Sequence, residues 1–236
     1  MSRGRAALLI LVVIVVVAGV VVLGLRYDAT RTEPGSSDVS AAPFVPSSNG
    51  GPTAVFIGDS YVSGAGASDL GHRWTSIVAA DKLWTELNIG IGSTGYALAA
   101  PDCGAERCGS FQEMAGYAVT LKPPIVVVAG GTNDFTEFVR DPTETVNAIY
   151  DTMGTLRTGL PTARIIAVGP SSAGEVPPFV TAYEGVVRDA VNAVGGEFVS
   201  LTDRDVIDED MLDPDGVHVD DRGHAAIADA VERALK

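Results

Sequence analysis

The residues that could carry out chemistry are a serine early in the chain and an aspartate–histidine pair near its end. Ser60 follows the apolar run "AVFIG" and Asp59, and His218 lies three residues after Asp215 in "DPDGVH". A serine attacks a carbonyl carbon when a base removes its proton, and a histidine acts as that base when a carboxylate orients its ring. The Asp215–His218 spacing lets the carboxylate reach Nδ1 and leaves Nε2 free for a serine. Together these residues indicate serine hydrolysis, although each motif alone is also typical of an ordinary turn or cap.

Serine hydrolysis also needs donors for the oxyanion, and two further segments offer them. Asn133 lies in "GTND" after the most apolar run and could donate its side-chain amide. The glycines of "NIGIGSTG", Gly92 among them, allow a backbone N–H to approach a substrate closely. The alternatives are a cap for Asn133 and a plain tight turn for the glycines. The other histidines are expected elsewhere, His72 exposed at a helix start and His224 structural or solvated.

These residues need a scaffold, and the sequence predicts one. Apolar, β-branched runs alternate with helix-like segments, and these runs are 54–58, 85–90, 125–131, 164–170 and 197–201. The pattern predicts a three-layer α/β/α sandwich with a central, mainly parallel five-stranded sheet. One helix is expected to begin with Asp141 as its N-cap and Pro142 at its first position. Ligands of such folds bind beyond the carboxyl ends of the strands, where we expect Ser60, Asn133 and His218 to meet.

Four blocks in this order resemble the SGNH (GDSL-type) hydrolase family. They are Gly-Asp-Ser with Gly64, a glycine-rich run headed by Asn88, Gly-Thr-Asn-Asp, and Asp-x-x-His near the C-terminal end. The resemblance covers about residues 53–236 and implies the same three-layer, flavodoxin-like sandwich. It implies a serine hydrolase acting on carboxylic esters, with no metal and no cofactor.

The resemblance also implies a role for each matching residue. Ser60 would be the nucleophile and would give one backbone oxyanion donor, with Gly92 giving a second backbone N–H and Asn133 a side-chain donor. His218 would be the base and Asp215 its partner. The base would remove the serine proton as the hydroxyl attacks the ester, and water would then release the acyl-enzyme.

The second block departs from the family pattern, which often reads Asn-x-Gly-x-Ser-Gly. Here the final glycine is displaced, so Gly92 is the expected donor and Ser93 the competing register. Asp59 is expected to fix the turn before the serine rather than to react. Further candidates for lining the pocket are Tyr61, Ser63, Thr132 and Tyr96.

The first 52 residues differ in character from the rest. Residues 6–25 form an uncharged apolar segment of 20 residues, which at about 1.5 Å per residue would span about 30 Å, the hydrocarbon thickness of a bilayer. This favours an uncleaved signal-anchor within residues 1–27, with a cleaved secretory signal as the alternative. Residues 28–52 are rich in Pro, Gly, Ser and Ala, which predicts a flexible linker. Residues 53–236 then form one hydrolase domain.

Arginines and cysteines bear on where this domain lies. Arg3 and Arg5 favour a cytoplasmic N-terminus and an extracytoplasmic domain, although arginines after the segment weaken that bias.

Cys103 and Cys108 are the only cysteines, and their spacing in a Gly-containing loop suits a small disulfide in an oxidising compartment. Two free thiols are the alternative. Two sulfurs alone do not complete a zinc site.

The charge of the chain excludes one class of partner and leaves three functions open. A formal net charge of −14 repels nucleic acid and anionic surfaces. The motifs favour an extracytoplasmic serine esterase acting on acyl or acetyl esters, with small esters, acylated glycans or lipids as substrates. The alternatives are an acyltransferase with the same site and a non-catalytic envelope-binding domain. The oligomeric state is left open.

Overall fold

A sheet of five parallel strands forms the centre of the domain. The computed structural model describes residues 50–100, 108–202 and 206–235. The strands lie in the order β2-β1-β3-β4-β5, each parallel to its neighbours. Their bounds are β1 Thr53–Gly58, β2 Thr85–Asn88, β3 Ile125–Ala129, β4 Arg164–Val168 and β5 Glu197–Val199. The five predicted strands and the predicted α/β class are confirmed.

Both faces of the sheet are buried at its interior strands β1, β3 and β4, which explains why these strands are mostly apolar. Successive side chains of a strand point to opposite faces. In β1, Ala54 and Phe56 belong to one apolar cluster, and Val55 and Ile57 belong to the other. All four side chains are fully buried. A strand covered on both sides has no position where a polar residue is favoured, so the apolar run is continuous.

Helices supply the two covering layers. They are α1 Ser60–Ser63, α2 Trp74–Asp81, α3 Phe111–Leu121, α4 Phe135–Arg140, α5 Pro142–Gly159, α6 Pro178–Ala193 and α7 Asp221–Ala234. Side chains of α2 and α7 complete one core cluster, and side chains of α3, α5 and α6 complete the other. Short 3-10 turns occupy Thr132–Asp134 and Glu209–Met211.

Capping residues determine where two of these helices begin. Asp141 accepts a hydrogen bond from the Thr143 N–H at 3.0 Å, and Pro142 is the first residue of α5, as predicted. Helix α3 is not among the predicted helices, yet Ser110 and Glu113 form a capping box at its start. Ser-x-x-Glu before an apolar stretch is the sequence signal that could have identified it.

Part of the predicted organisation lies outside the described residues. This is the case for the signal-anchor of residues 1–27, for the linker up to residue 49 and for Cys103. No helix within the described ranges is long and apolar enough to cross a bilayer. Cys108 is not a free thiol. The domain boundaries, the membrane segment and the Cys103–Cys108 pairing stay predictions.

Candidate active site

The nucleophile candidate lies at the carboxyl end of β1, the strand between β2 and the central strand β3. Ser60 is the first residue of α1, and Asp59 caps this helix by accepting a hydrogen bond from the Tyr61 N–H at 3.0 Å. Gly64 ends the helix in the left-handed region, with φ of 98°. The N–H groups of a helix's first turn have no partner within the helix. The backbone N–H of Ser60 can therefore serve a ligand at this edge of the sheet.

The predicted base and its partner form one hydrogen-bonded unit. The Asp215 Oδ2 atom lies 2.6 Å from His218 Nδ1, and its Oδ1 atom accepts the N–H groups of Val217 and His218 at 2.8 and 2.9 Å. Partial burial opposes ionisation, but these hydrogen bonds prevail and hold the pKa of Asp215 below its ordinary value. A charged carboxylate keeps the imidazole proton on Nδ1, so Nε2 is the basic nitrogen.

Contacts across the chain bring the nucleophile, the base and the glycine-rich block to the same edge. The Tyr61 ring, next to Ser60 in sequence, has its centroid 6.0 Å from that of the His218 ring. A β-carbon built on Gly92 would lie 3.8 Å from the Ser60 β-carbon. Ser93 adopts a left-handed backbone with φ of 62°. Gly92 therefore directly adjoins Ser60, and its role as an oxyanion donor stays a prediction.

Asn133 lies in the 3-10 turn that follows β3. Its Nδ2 atom donates to the Thr94 carbonyl oxygen at 2.8 Å. A carbonyl can only accept, so this bond determines which end of the amide faces the glycine-rich segment. The amide nitrogen carries two N–H groups, and the second remains for another acceptor.

Asp134, which the sequence analysis did not identify, anchors the same region. Its carboxylate accepts the N–H groups of Tyr96, Ala97 and Leu98 at 2.6, 3.3 and 3.1 Å, and the Tyr183 hydroxyl at 3.0 Å. Burial raises the pKa of Asp134, and these donors oppose the rise. One carboxylate thus joins the Asn133 turn to the chain that follows the glycine-rich block. The signal in the sequence was an aspartate directly after the candidate oxyanion donor.

Asp59 makes a second connection of this kind. Besides capping α1, its Oδ2 atom accepts the Gly131 N–H at 3.4 Å. The nucleophile turn is therefore joined directly to the Asn133 turn. Asp59 is 1% exposed, and burial raises its pKa to about 6 despite the donors that favour its charged form. It fixes the turn before Ser60, as expected.

Asn88, the head of the second block, supports the nucleophile helix from the other side. Its Nδ2 atom donates to the Val62 carbonyl of α1 at 2.7 Å, and its Oδ1 atom accepts the Gly90 N–H at 3.0 Å. Beside it, the buried Glu86 pairs with Arg73 at 2.9 Å. The start of the glycine-rich segment is thereby held against α1.

The remaining candidates lie away from the reacting groups or are enclosed. His224 is fully buried and its Nε2 atom lies 3.1 Å from the Ala65 carbonyl, while burial lowers its pKa, so it is structural as expected. His72 is exposed and pairs with Asp69.

Tyr96 is completely buried against Phe111, so the expectation that it lines the pocket is wrong. Among residues 50–100, 108–202 and 206–235, no cluster of three potential ligands is placed to hold a metal ion.

Comparison with known proteins identifies the family. The model of the GDSL-like lipase/acylhydrolase family matches residues 56–226. The chain belongs to this family. A GDSL lipase of Mycobacterium tuberculosis (strain ATCC 25618 / H37Rv) is 28% identical over 193 residues, which cover 76% of this chain and 79% of that protein. The chain is therefore a hydrolase of the GDSL, or SGNH, type.

Solved structures share the fold of this GDSL-type domain. A carbohydrate acetylesterase from Sinorhizobium meliloti superposes with a TM-score of 0.58 at 17% identity, over 78% of this chain and 98% of that one. A salicylyl-acyltransferase from a tetracycline biosynthetic pathway gives a TM-score of 0.59 at 17% identity, over 78% and 54% of the two chains. At this level of identity the likeness shows the fold alone.

The buried Asp59 gives the GDSL-type domain a characteristic pH dependence of stability. Its folded-state pKa of about 6 exceeds the ordinary 3.8, so the folded protein binds this proton more tightly than the unfolded chain. The contribution of Asp59 protonation to the free energy of unfolding is complete below about pH 3.8 and is lost as pH rises through about 6. We expect the difference in free energy of unfolding, wild type minus Asp59→Asn, to fall by about 2 kcal/mol between pH 4 and 7 in urea titrations.

Asp141→Asn provides the matched control. The Thr143 donors lower the pKa of Asp141, so its contribution is present at neutral pH and is lost as pH falls. The difference in free energy of unfolding, wild type minus Asp141→Asn, should therefore rise between acidic and neutral pH, opposite to the change for Asp59→Asn. A difference for Asp59→Asn that stays constant with pH would contradict the raised pKa.

Proposed function

We propose that this chain is a serine esterase that hydrolyses acyl or acetyl esters through an acyl-enzyme. The observation that carries the proposal is the Asp215–His218 pair, held at 2.6 Å with Nε2 free, on the same sheet edge as Ser60. The joint presence of Ser60, Asn133, Asp215 and His218 argues against a non-catalytic binding domain, since binding alone needs no serine beside a carboxylate-oriented imidazole.

The first half of the reaction acylates the serine. His218 Nε2 removes the Ser60 hydroxyl proton while Oγ attacks the ester carbonyl carbon, and the carbonyl electron pair moves to oxygen. The imidazolium then gives this proton to the departing alkoxide as the carbon–oxygen bond breaks, and the alcohol leaves. Asp215 keeps Nδ1 protonated and stabilises the imidazolium throughout.

The second half returns the enzyme to its starting state. His218 Nε2 takes a proton from water, whose oxygen attacks the acyl carbon. The tetrahedral intermediate collapses, the Ser60 oxygen leaves and receives the proton from His218, and a carboxylic acid is released. In both halves the developing oxyanion is bound by the Ser60 N–H, the Gly92 N–H and the second N–H of the Asn133 amide.

Two features support a substrate class within the esters. A curated relative is named a lipase, and a structure with the same fold is named a carbohydrate acetylesterase. Acylated glycans and lipids are therefore the substrates that we propose, beside small acyl esters. The acyltransferase among the similar structures supports one alternative, in which a sugar hydroxyl replaces water in the second half of the reaction.

The proposed location is outside the cytoplasm, with the domain held at the membrane by residues 1–27. The support for this location is the 20-residue apolar segment and the two arginines ahead of it. The cysteine pair is consistent with an oxidising compartment. Secretion after cleavage of the segment is the alternative.

Substitution of the nucleophile tests the proposed reaction directly. In the full-length chain, purified in a mild detergent, Ser60→Ala should lower kcat on p-nitrophenyl acetate at least about a thousandfold, because no other group supplies the attacking oxygen. Thr158→Ala, at an exposed position of α5, is the control, and its activity should stay within a few-fold of wild type. Unchanged turnover in Ser60→Ala would contradict the proposal. A fluorophosphonate should label Ser60 and not Ser63.

The oxyanion role of Asn133 has its own test. Asn133→Ala removes the side-chain donor, so kcat should fall by about a hundredfold to a thousandfold while KM changes little. Steady-state kinetics on the same ester measure this, and circular dichroism checks that the variant is folded. An equal rise in KM with unchanged kcat would instead indicate a role in substrate binding.

Thiol chemistry tests the disulfide and the compartment together. In protein isolated from cells under denaturing conditions, iodoacetamide should modify Cys103 and Cys108 only after reduction, as measured by the mass of the peptide that contains both. Modification of both thiols without reduction would contradict the disulfide, and it would remove its support for an oxidising compartment.

A further inference from the structure

Tyr61 occupies the position directly after the candidate nucleophile, where the motif that names the family has leucine. It is the second residue of α1. Its hydroxyl donates a hydrogen bond to the Val217 carbonyl oxygen at 2.5 Å, across 156 residues of sequence. Val217 immediately precedes His218. The side chain next to the nucleophile therefore contacts the backbone next to the base.

The loop that carries the base is otherwise held mainly by its own hydrogen bonds. The Asp213 N–H donates to the His218 carbonyl at 2.8 Å, the Gly216 N–H donates to the Asp213 carbonyl at 2.8 Å, and Asp215 binds the N–H groups of Val217 and His218. Within the described residues, no other hydrogen bond joins residues 213–218 to a part of the chain outside residues 211–220. The loop keeps its shape by itself. It is held against α1 and the segment after α1 by the Tyr61 hydroxyl and by the flanking Asp221 carboxylate, which accepts the Ser68 N–H and hydroxyl at 2.8 and 2.7 Å. Of these bonds, only the one from Tyr61 reaches the loop residues next to His218.

The geometry of one peptide unit shows how this bond acts on the base. The Val217 carbonyl and the His218 N–H belong to the same planar unit and point in opposite directions. Tyr61 holds the carbonyl end, and the Asp215 Oδ1 atom holds the N–H end at 2.9 Å. With both ends held, the plane from which the His218 side chain extends is fixed relative to α1. The Tyr61 ring also packs beside the imidazole, with an interplanar angle of 45°.

The hydroxyl is suited to act as a permanent donor. Burial, together with the Asp59 and Asp215 charges, raises the pKa of Tyr61 to about 12, although a hydrogen bond with Ser171 opposes the rise. The phenol therefore stays protonated across the range in which an esterase works, and a protonated phenol donates well to a carbonyl.

We propose that Tyr61 is a positioning residue that fixes the His218 loop on the nucleophile helix through its hydrogen bond to the Val217 carbonyl. The inference rests on the esterase function proposed above. It predicts that loss of the hydroxyl misplaces the base by a small distance without removing any reacting group. The chemical step should slow, and substrate binding should stay the same.

Kinetics of the full-length chain test this with a set of matched variants. Tyr61→Phe removes only the hydroxyl and should lower kcat on p-nitrophenyl acetate about tenfold at unchanged KM, in line with the loss of one hydrogen bond. Tyr61→Leu removes the ring as well and should lower kcat at least as much. Tyr150→Phe, a tyrosine on the outer helix α5, should match wild type. Wild-type kcat in Tyr61→Phe would overturn the proposal, and so would a change confined to KM, because that would indicate substrate contact.

A spectroscopic readout separates positioning from general stability. The proton between Asp215 and His218 Nδ1 should give a downfield proton resonance, which is assigned by its loss in Asp215→Asn. We expect this resonance to shift or broaden in Tyr61→Phe at a temperature where circular dichroism shows the variant fully folded. An unchanged resonance would overturn the proposal, even if the variant melted earlier than wild type.

Failure of this inference is distinguishable from failure of the esterase function. If Ser60→Ala retains activity, the proposed function fails and the tyrosine kinetics cease to bear on the base. If Ser60→Ala is inactive while Tyr61→Phe equals wild type in kcat, KM and the downfield resonance, the esterase stands and only the positioning role is overturned.

Discussion

Parallel pairing of the strands is the constraint on which the rest of this structure depends. Because all five strands run the same way, every chain segment that leaves a strand at its carboxyl end starts from the same edge. The candidate nucleophile follows β1, and the amide of Asn133 follows the adjacent, central strand β3. Neither residue needs a long loop to reach the other. The sheet brings them together, and the side chains only refine their positions.

Aspartates in the motif segments perform this refinement, and their surroundings give them different roles. Asp59 and Asp134 are enclosed, accept mainly backbone N–H groups and have raised pKa values, so they act as anchors between segments. Asp215 is more open to solvent and has a lowered pKa. It therefore presents a full negative charge to the imidazole. The same type of side chain either joins loops or orients an imidazole, according to burial and the donors around it.

The sequence allowed the scaffold to be predicted in considerable detail. Apolar runs identified the interior strands β1, β3 and β4, because strands buried on both faces have little tolerance for polar residues. Asp141 with Pro142 located the start of α5 through local capping. The Asp215–His218 pair was predictable for the same reason, since its hydrogen bonds close within one loop. Interactions that depend only on neighbouring residues leave a pattern in the sequence.

Contacts between distant segments left no comparable pattern. The carboxylate of Asp134 binds residues 96–98, and the Tyr61 hydroxyl binds a carbonyl far along the chain. Both bonds involve backbone groups, which every residue carries, so nothing in the partner's identity reveals them. Tyr96 was expected at the pocket because it lies close to the glycine-rich block, but its ring is buried in the core. Helix α3 shows the opposite case, because its capping box was present in the sequence.

The 156 residues between Tyr61 and its partner also have a consequence for how the protein is made. Synthesis delivers the nucleophile early and the base late, and every contact between them is of long range. Such contacts form slowly, because the chain between them must first be ordered. A partly synthesised chain therefore contains Ser60 but not yet His218, its proposed base. The proposed ester cleavage has to wait until nearly the whole domain has been made and folded.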